Sequence, residues 1–253
     1  MYSTSSACLK CDITDIEDIE VIKKGLNNQS FKFRCKGEEY VYRHPGVNAS
    51  AVVDRKKEAV CLNVAREQQM DETFIFINED EGWKISKYIE TDECFDFKNK
   101  KHINLLAEKL KKLHSAEVSV GFGFDYKTEA DKIIDAEKYF DAMKYGRSLS
   151  EKRIMEPVFE YLTKDQWQIS LCHNDIYEPN LLVKGDYLSL IDWEFAGDAD
   201  IGFDICKLFS LVTPSREEID AWVYPYFGRK ITKKEKLHLI SCAAVIYYYW
   251  YIW

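Results

Sequence analysis

LCHNDIYEPNLLVKGDYLSLID, residues 171–192, joins a polar loop to two short apolar runs. The loop runs from His173 to Asn180. The apolar runs Leu181-Leu182-Val183 and Leu188-Ser189-Leu190-Ile191 flank Lys184-Gly185-Asp186, which is good turn chemistry for a β-hairpin. Asp192 closes the second run. A hairpin brings its two ends together, so Asn180 and Asp192 are expected side by side, close to Asp175 at the head of the loop. Two carboxylates and an amide gathered there suit a Mg²⁺ ion that takes few protein ligands and shares the rest with nucleotide phosphates. The remaining carboxylate, Asp175, is then placed to accept the proton of an attacking hydroxyl.

Upstream of this stretch the pattern is mostly extended. Residues 12–20 alternate acids with isoleucines and lead into Val21-Ile22. The polar segment 23–30, with Gly25, Asn28 and Ser30, precedes the alternating Phe31-Lys32-Phe33-Arg34-Cys35, and a Lys36-Gly37-Glu38 turn leads to Glu39-Tyr40-Val41-Tyr42-Arg43. Arg43 is read as the end of that third strand, before His44-Pro45-Gly46. Residues 51–69 read as a helix with Glu58, Cys61, Leu62 and Ala65 on one stripe. A carboxylate on an apolar stripe needs a partner, and Arg43 is the natural one; Glu67 falls off the stripe. Segments 73–77 and 83–89 complete the strands. After Tyr88-Ile89-Glu90 the character turns helical, so the expected organisation is a lobe of residues 1–90 and a helical lobe of residues 91–253. Within the second, Ile103, Leu106, Leu110 and Leu113 mark a helix ending near His114, read as a helix-end residue and not a catalyst. Further helices are expected over 127–145 and 151–162.

The composition sets outer limits. With 253 residues, 46% hydrophobic and 31% charged, the chain is a globular protein with ample core. A net charge of −8 argues against a nucleic-acid partner and fits a cationic substrate. The first ten residues lack the basic start and apolar run of a signal peptide, and the eight cysteines follow no disulfide framework. Cys8-Leu9-Lys10-Cys11 is a lone CxxC without a second pair. The expected compartment is therefore the cytoplasm. Residues 237–253 contain no Asp, Glu, Lys or Arg, but seventeen residues rich in tyrosine fit a packed helix better than a span of roughly 20. No stable membrane insertion is expected. The run stops without a helix cap, which leaves open whether the natural chain continues beyond Trp253.

HxDxxxxN, followed twelve residues later by an Asp after an apolar strand, resembles the kinase-like phosphotransferases of small molecules. His173-Asn174-Asp175 and Asp192-Trp193-Glu194-Phe195 stand where protein kinases carry HRD and DFG. Together with Gly202-Phe203-Asp204-Ile205, the run looks most like the choline/ethanolamine kinases, including bacterial choline kinases. The resemblance implies an α+β, bilobal protein-kinase-like fold: a small antiparallel-sheet lobe with one main helix, and a larger, mostly helical lobe. It implies ATP and Mg²⁺ as cofactors, with Asp175 as catalytic base and Asn180 and Asp192 as metal ligands. Arg43, braced by Glu58, would hold phosphates in place of the usual lysine. The Gly25, Asn28 and Ser30 loop would cover the phosphates, although it lacks the GxGxxG of protein kinases. The Tyr88 and Ile89 backbone would face the adenine, and Asp204 would support the catalytic loop. Glu194, Phe195, Trp250 and Trp253 would enclose a trimethylammonium head. The function implied is an ATP-dependent choline kinase, with oligomeric state left open. The rivals are a kinase for another small alcohol (ethanolamine, an aminoglycoside or thiamine) and a kinase-like binding protein without turnover.

Overall fold

Alternating apolar and polar residues form strands where one face of each can be covered. The computed structural model describes residues 5, 8–24, 28–46 and 53–253. In it β1 (Ile16–Lys24), β2 (Asn28–Cys35), β3 (Glu38–Pro45), β4 (Phe74–Ile77) and β5 (Lys84–Lys87) form one antiparallel sheet in the order β1-β2-β3-β5-β4. Ile16, Phe33, Cys35, Tyr42, Trp83 and Ile85 are buried together against it. The β2–β3 turn is Lys36-Gly37, with φ of 51° and 82°, the left-handed pair that suits the twist of two joined strands. β3 continues through Pro45, so Arg43 lies within the strand rather than at its end.

The helix α1 (Arg55–Glu67) starts where Asp54 accepts the Lys56 and Lys57 N–H groups. It buries Glu58, Cys61, Leu62 and Ala65 on one stripe, while Glu67 is exposed. Its span is shorter at both ends than 51–69, and residues 51 and 52 lie outside those described. A second small sheet has the order β6-β8-β9, from β6 (Glu93–Cys94), β8 (Leu181–Lys184) and β9 (Tyr187–Leu190). The β8–β9 turn uses Gly185 at φ 59°.

The rest is mainly helical: α2 (Lys100–Ser115), α3 (Tyr126–Phe140), α4 (Ala142–Lys164), α5 (Gly202–Ile205), α6 (Lys207–Ser210), α7 (Ile219–Phe227) and α8 (Lys233–Ile252). The strands β7 (Ile169–Cys172) and β10 (Gly197–Asp200) pair antiparallel. Ile103, Leu106, Leu110 and Leu113 are all buried, as their spacing on α2 requires. The expected break between helices at 145–151 is misplaced. It falls at Asp141 (φ −153°, ψ 94°), whose carboxylate accepts the Met143 and Lys144 N–H groups and caps α4. α4 then runs on through Pro157. α8 begins upstream of the uncharged run, because Thr232 and Glu235 form a capping box around Lys233-Lys234. On α8, His238 stacks on Trp167 at 4.1 Å and lies 3.1 Å from Asp200 Oδ1.

The chain divides into two compact units, Met1–Phe95 with Pro179–Phe195, and Asp96–Glu178 with Ala196–Trp253. The boundary expected after Glu90 thus appears at Phe95. The β8–β9 hairpin goes with the first unit because β6 pairs with β8, the Leu190 N–H binds Met70 O at 3.0 Å and the Gly185 N–H binds Asp92 Oδ2 at 2.9 Å. Among the described residues no helix is long and apolar enough to cross a membrane.

Candidate active site

In the first unit the sheet, α1 and the hairpin bring six charged side chains together: Arg43, Lys84, Arg55, Glu58, Asp192 and Glu194. Arg43 and Lys84 are paired neighbours across β3 and β5, so both project to one face. Arg43 binds Glu58 and Asp192 and lies 3.5 Å from Glu194 Oε2. Lys84 Nζ is 3.2 Å from Glu58 Oε1 and 3.4 Å from Asp192 Oδ1. Arg55, one turn before Glu58 on α1, donates to Glu58 Oε2 at 2.6 Å and lies 3.5 Å from Glu194. Arg43, Arg55 and Glu58 are nearly inaccessible to water, a burial tolerable because charges of both signs are matched.

Each carboxyl answers to its surroundings. Burial works against ionising Asp192, but Arg43 and Lys84 outweigh it and hold the group well below the usual carboxylate range. Glu58 is likewise lowered, burial being overcome by Arg43 and Lys84. Glu194 is pushed up, first by burial and then by the neighbouring Asp192 charge. Glu58, Asp192 and Glu194 offer oxygens within 4.8 Å of one another. The hairpin closes with the Ile191 N–H on Asn180 O at 3.0 Å, and Asp192 then turns away at φ 70°. The 28% exposure of its side chain leaves it reachable.

Several donors at this face lack protein acceptors. Arg43 Nε, Arg55 Nε and Arg55 Nη2 are buried and unpaired among the described residues. Buried guanidinium N–H groups left so call for an anionic acceptor, and phosphate oxygens match their planar geometry. Asn180 and Asp192 offer side-chain oxygens, the hard ligands that Mg²⁺ takes.

In the second unit β7 delivers the catalytic-loop candidates. His173 and Asn174 are buried, Asn174 at φ 63°, and Asp175 follows with 9% exposure. Asp204 on α5 accepts the His173 N–H at 2.8 Å and the Asn174 N–H at 2.9 Å. His114 Nε2 stands 3.4 Å from Asp204 Oδ2, and its Nδ1 is 2.9 Å from Tyr226 Oη. His114 therefore does more than end a helix: it braces the residue that holds the loop. Tyr126 Oη donates to Asn174 O at 2.7 Å, and the Asp175 N–H donates to His173 Nδ1 at 3.2 Å. Around Tyr126 gather Phe203 at 4.7 Å, Phe124 at 4.9 Å and Tyr249 at 5.4 Å between ring centroids. Phe124 and Phe203 are only half-buried and keep an accessible face.

The remaining expected site residues are dispersed. Gly25 lies outside the described residues. Asn28 Nδ2 reaches Glu194 Oε2 at 3.5 Å, and Ser30 is the cross-strand partner of Arg43. The Tyr88 N–H is committed to Glu39 O at 2.9 Å, which removes it as an adenine donor, and the half-buried Ile89 follows it. Phe195 is buried. Trp250 and Trp253 pack on each other, ring centroids 5.7 Å apart, near the end of α8, with Trp253 42% exposed. Sequence reading missed Lys84, Arg55, Phe124, Tyr126, Phe203 and Tyr249. The strand register gives Lys84, and i,i+3 spacing from Glu58 gives Arg55. Phe203 sits inside the quoted GFDI run, whereas nothing local marks Tyr249 among its aromatic neighbours.

The sequence pattern of the family described as choline/ethanolamine kinase matches residues 19–235. Protein LicA of Haemophilus influenzae is 23% identical, over 89% of this chain and 70% of that protein. Among solved structures, the choline kinase LicA from Streptococcus pneumoniae superposes with a TM-score of 0.79 at 18% identity, covering 99% of this chain and 88% of that one. The Plasmodium vivax ethanolamine kinase gives 0.75 at 19% identity, covering 93% and 75%. A spectinomycin phosphotransferase gives 0.60 at 16% identity, covering 88% and 78%, so the protein-kinase-like fold is shared beyond the amino-alcohol kinases.

Proposed function

Because the chain belongs to the choline/ethanolamine kinase family, we propose that it transfers the γ-phosphoryl group of ATP to the hydroxyl of choline, giving phosphocholine and ADP. The observation that carries the choice of acceptor is the ring set beside the Asp175 loop: Phe124, Tyr126, Phe203 and Tyr249. A quaternary ammonium has no N–H to donate, so it is recognised by aromatic faces and diffuse negative charge. Asp175 orients the acceptor and takes its proton. The O–H bond breaks toward Asp175 as the new O–P bond forms and the bond to ADP breaks. Arg43 and Arg55 offer their unpaired N–H groups to phosphate oxygens, with Glu58 fixing both in place. Asn180 and Asp192 would hold Mg²⁺, which neutralises phosphate charge when bound. Asn28 and Ser30 would cover the phosphates, and Ile89 would border the adenine. Glu194, Phe195, Trp250 and Trp253 are proposed as acceptor contacts. The eight free thiols fit a reducing, cytoplasmic setting.

The test is identification of the product. Purified protein with ATP, Mg²⁺ and choline should yield phosphocholine by mass spectrometry, and none when Mg²⁺ is chelated. ATP consumed without phosphocholine would remove choline as the acceptor.

A further inference from the structure

Three polar side chains from three helices meet in the core of the second unit: His114 near the end of α2, Asp204 on α5 and Tyr226 on α7, all buried. His114 occupies the middle, with Nε2 3.4 Å from Asp204 Oδ2 and Nδ1 2.9 Å from Tyr226 Oη. Burial works against ionising Asp204, but His114 and the His173 N–H outweigh it and hold the carboxyl below its usual range. An ionised carboxylate only accepts, so Nε2 carries the proton on that side. The Tyr226 hydroxyl, pushed up by burial and so kept protonated, meets the other nitrogen. The imidazole is thus pinned at both ends, and the Gln168 side-chain amide holds the His114 carbonyl at 2.7 Å.

This chain of contacts ends in the catalytic loop. Asp204 accepts two successive N–H groups, from His173 at 2.8 Å and Asn174 at 2.9 Å. Asn174 sits at φ 63°, a left-handed conformation that a residue other than glycine keeps where its surroundings hold it. His173 Nδ1 in turn accepts the Asp175 N–H at 3.2 Å. We propose that His114, steadied by Tyr226, is a positioning residue for phosphoryl transfer: its Nε2–H fixes the Asp204 carboxylate, and through it the backbone that presents Asp175. The inference rests on the transfer reaction proposed above, but not on the choice of choline as acceptor.

The experiment compares His114→Gln, His114→Asn and Tyr226→Phe with the wild type by kcat, KM for ATP and melting temperature. The acceptor is choline or ethanolamine, whichever the wild type phosphorylates faster. Glutamine reaches as far as Nε2 and offers an N–H there, whereas asparagine stops at the place of Nδ1. His114→Gln should therefore keep kcat near the wild-type value. His114→Asn should lower it ~10–10²-fold, the scale of a misplaced catalytic group. KM for ATP should stay nearly unchanged in both, because the phosphate-binding candidates Arg43 and Arg55 belong to the first unit. Tyr226→Phe removes one hydroxyl and should lower kcat severalfold, again without moving KM. A merely structural role would lower the melting temperatures and leave kcat of the folded variants alone. Equal kcat in the two His114 variants, or a change in KM for ATP as large as that in kcat, would overturn the proposal. Should either His114 variant fail to fold, Tyr226→Phe decides: kcat at the wild-type value overturns the proposal, and a reduced kcat at unchanged KM supports it. A wild type inactive on both choline and ethanolamine would overturn the function beneath it, and this inference with it.

Discussion

Asp175 and Asp192 are both carboxylates beside short apolar runs, yet their surroundings differ. Asp192 lies against Arg43 and Lys84, whereas Asp175 sits in a loop held through its neighbours by Asp204 and Tyr126. Asp175→Asn should therefore lower turnover ~10²–10⁴-fold, the range for a lost general base, while ATP affinity measured by calorimetry stays within a factor of two or so. A variant keeping more than about a tenth of the rate would remove the base role. Asp192 makes a separate prediction in stability. Its folded carboxyl lies below the unfolded value near ~3.9, so its contribution is present above that pH and is lost as pH falls toward the folded value. Thermal melts of Asp192→Asn should thus lose less stability between pH 5 and pH 3 than the wild type; parallel curves would contradict the pairing. At this scale the sequence exposes polar residues bordering apolar runs, which is how Asp175, Asn180 and Asp192 are singled out as candidates. It hides Lys84, because alternation tells which face a side chain takes but not which charge meets it there.

Elements inherit these residues through their caps and registers. The β8–β9 hairpin is legible because Gly185 separates two apolar runs of matched length. The α3–α4 boundary is not, because Asp141 caps α4 from within a stretch whose apolar residues Tyr139, Phe140 and Met143 are all exposed and give no period. α1 carries both Arg55 and Glu58, so its start matters to the charge cluster. Asp54→Ala removes the acceptor for two N–H groups and should cost about 1 kcal/mol, as N-caps typically do. Urea titration would show it as a lower midpoint with unchanged slope; no shift would mean that α1 begins without this cap. The ring set yields a prediction of its own. Phe203→Leu should raise KM for choline severalfold to about thirtyfold, the equivalent of one desolvated cation–π contact of ~0.5–2 kcal/mol, and should raise it less for ethanolamine. Trp253→Ala, at a 42% exposed position, should change either constant less than Phe203→Leu does. Equal losses for both substrates in Phe203→Leu would leave the rings as core packing.

For the whole molecule, the α+β kinase-like class follows from the order of elements: strands first, then helices, with the loop and hairpin between. The division is less legible, because residues 179–195 join the first unit through pairing with β6, a contact between segments far apart in the chain. Local patterns carry no information about such pairing. The aromatic set was likewise hidden, since Phe124, Tyr126, Phe203 and Tyr249 are brought together by three helices and the segment before one of them. The chain is a small-molecule kinase of the choline/ethanolamine family, and the identity of its acceptor is the claim on which the reading of the rings depends. The most direct measurement is ADP release, coupled to a spectrophotometric assay, with choline, ethanolamine and kanamycin as competing candidates under identical ATP and Mg²⁺. The account predicts the highest kcat/KM for choline, a lower value for ethanolamine and no acceptor-dependent ADP release with kanamycin. Ethanolamine or kanamycin turned over more efficiently than choline would contradict it.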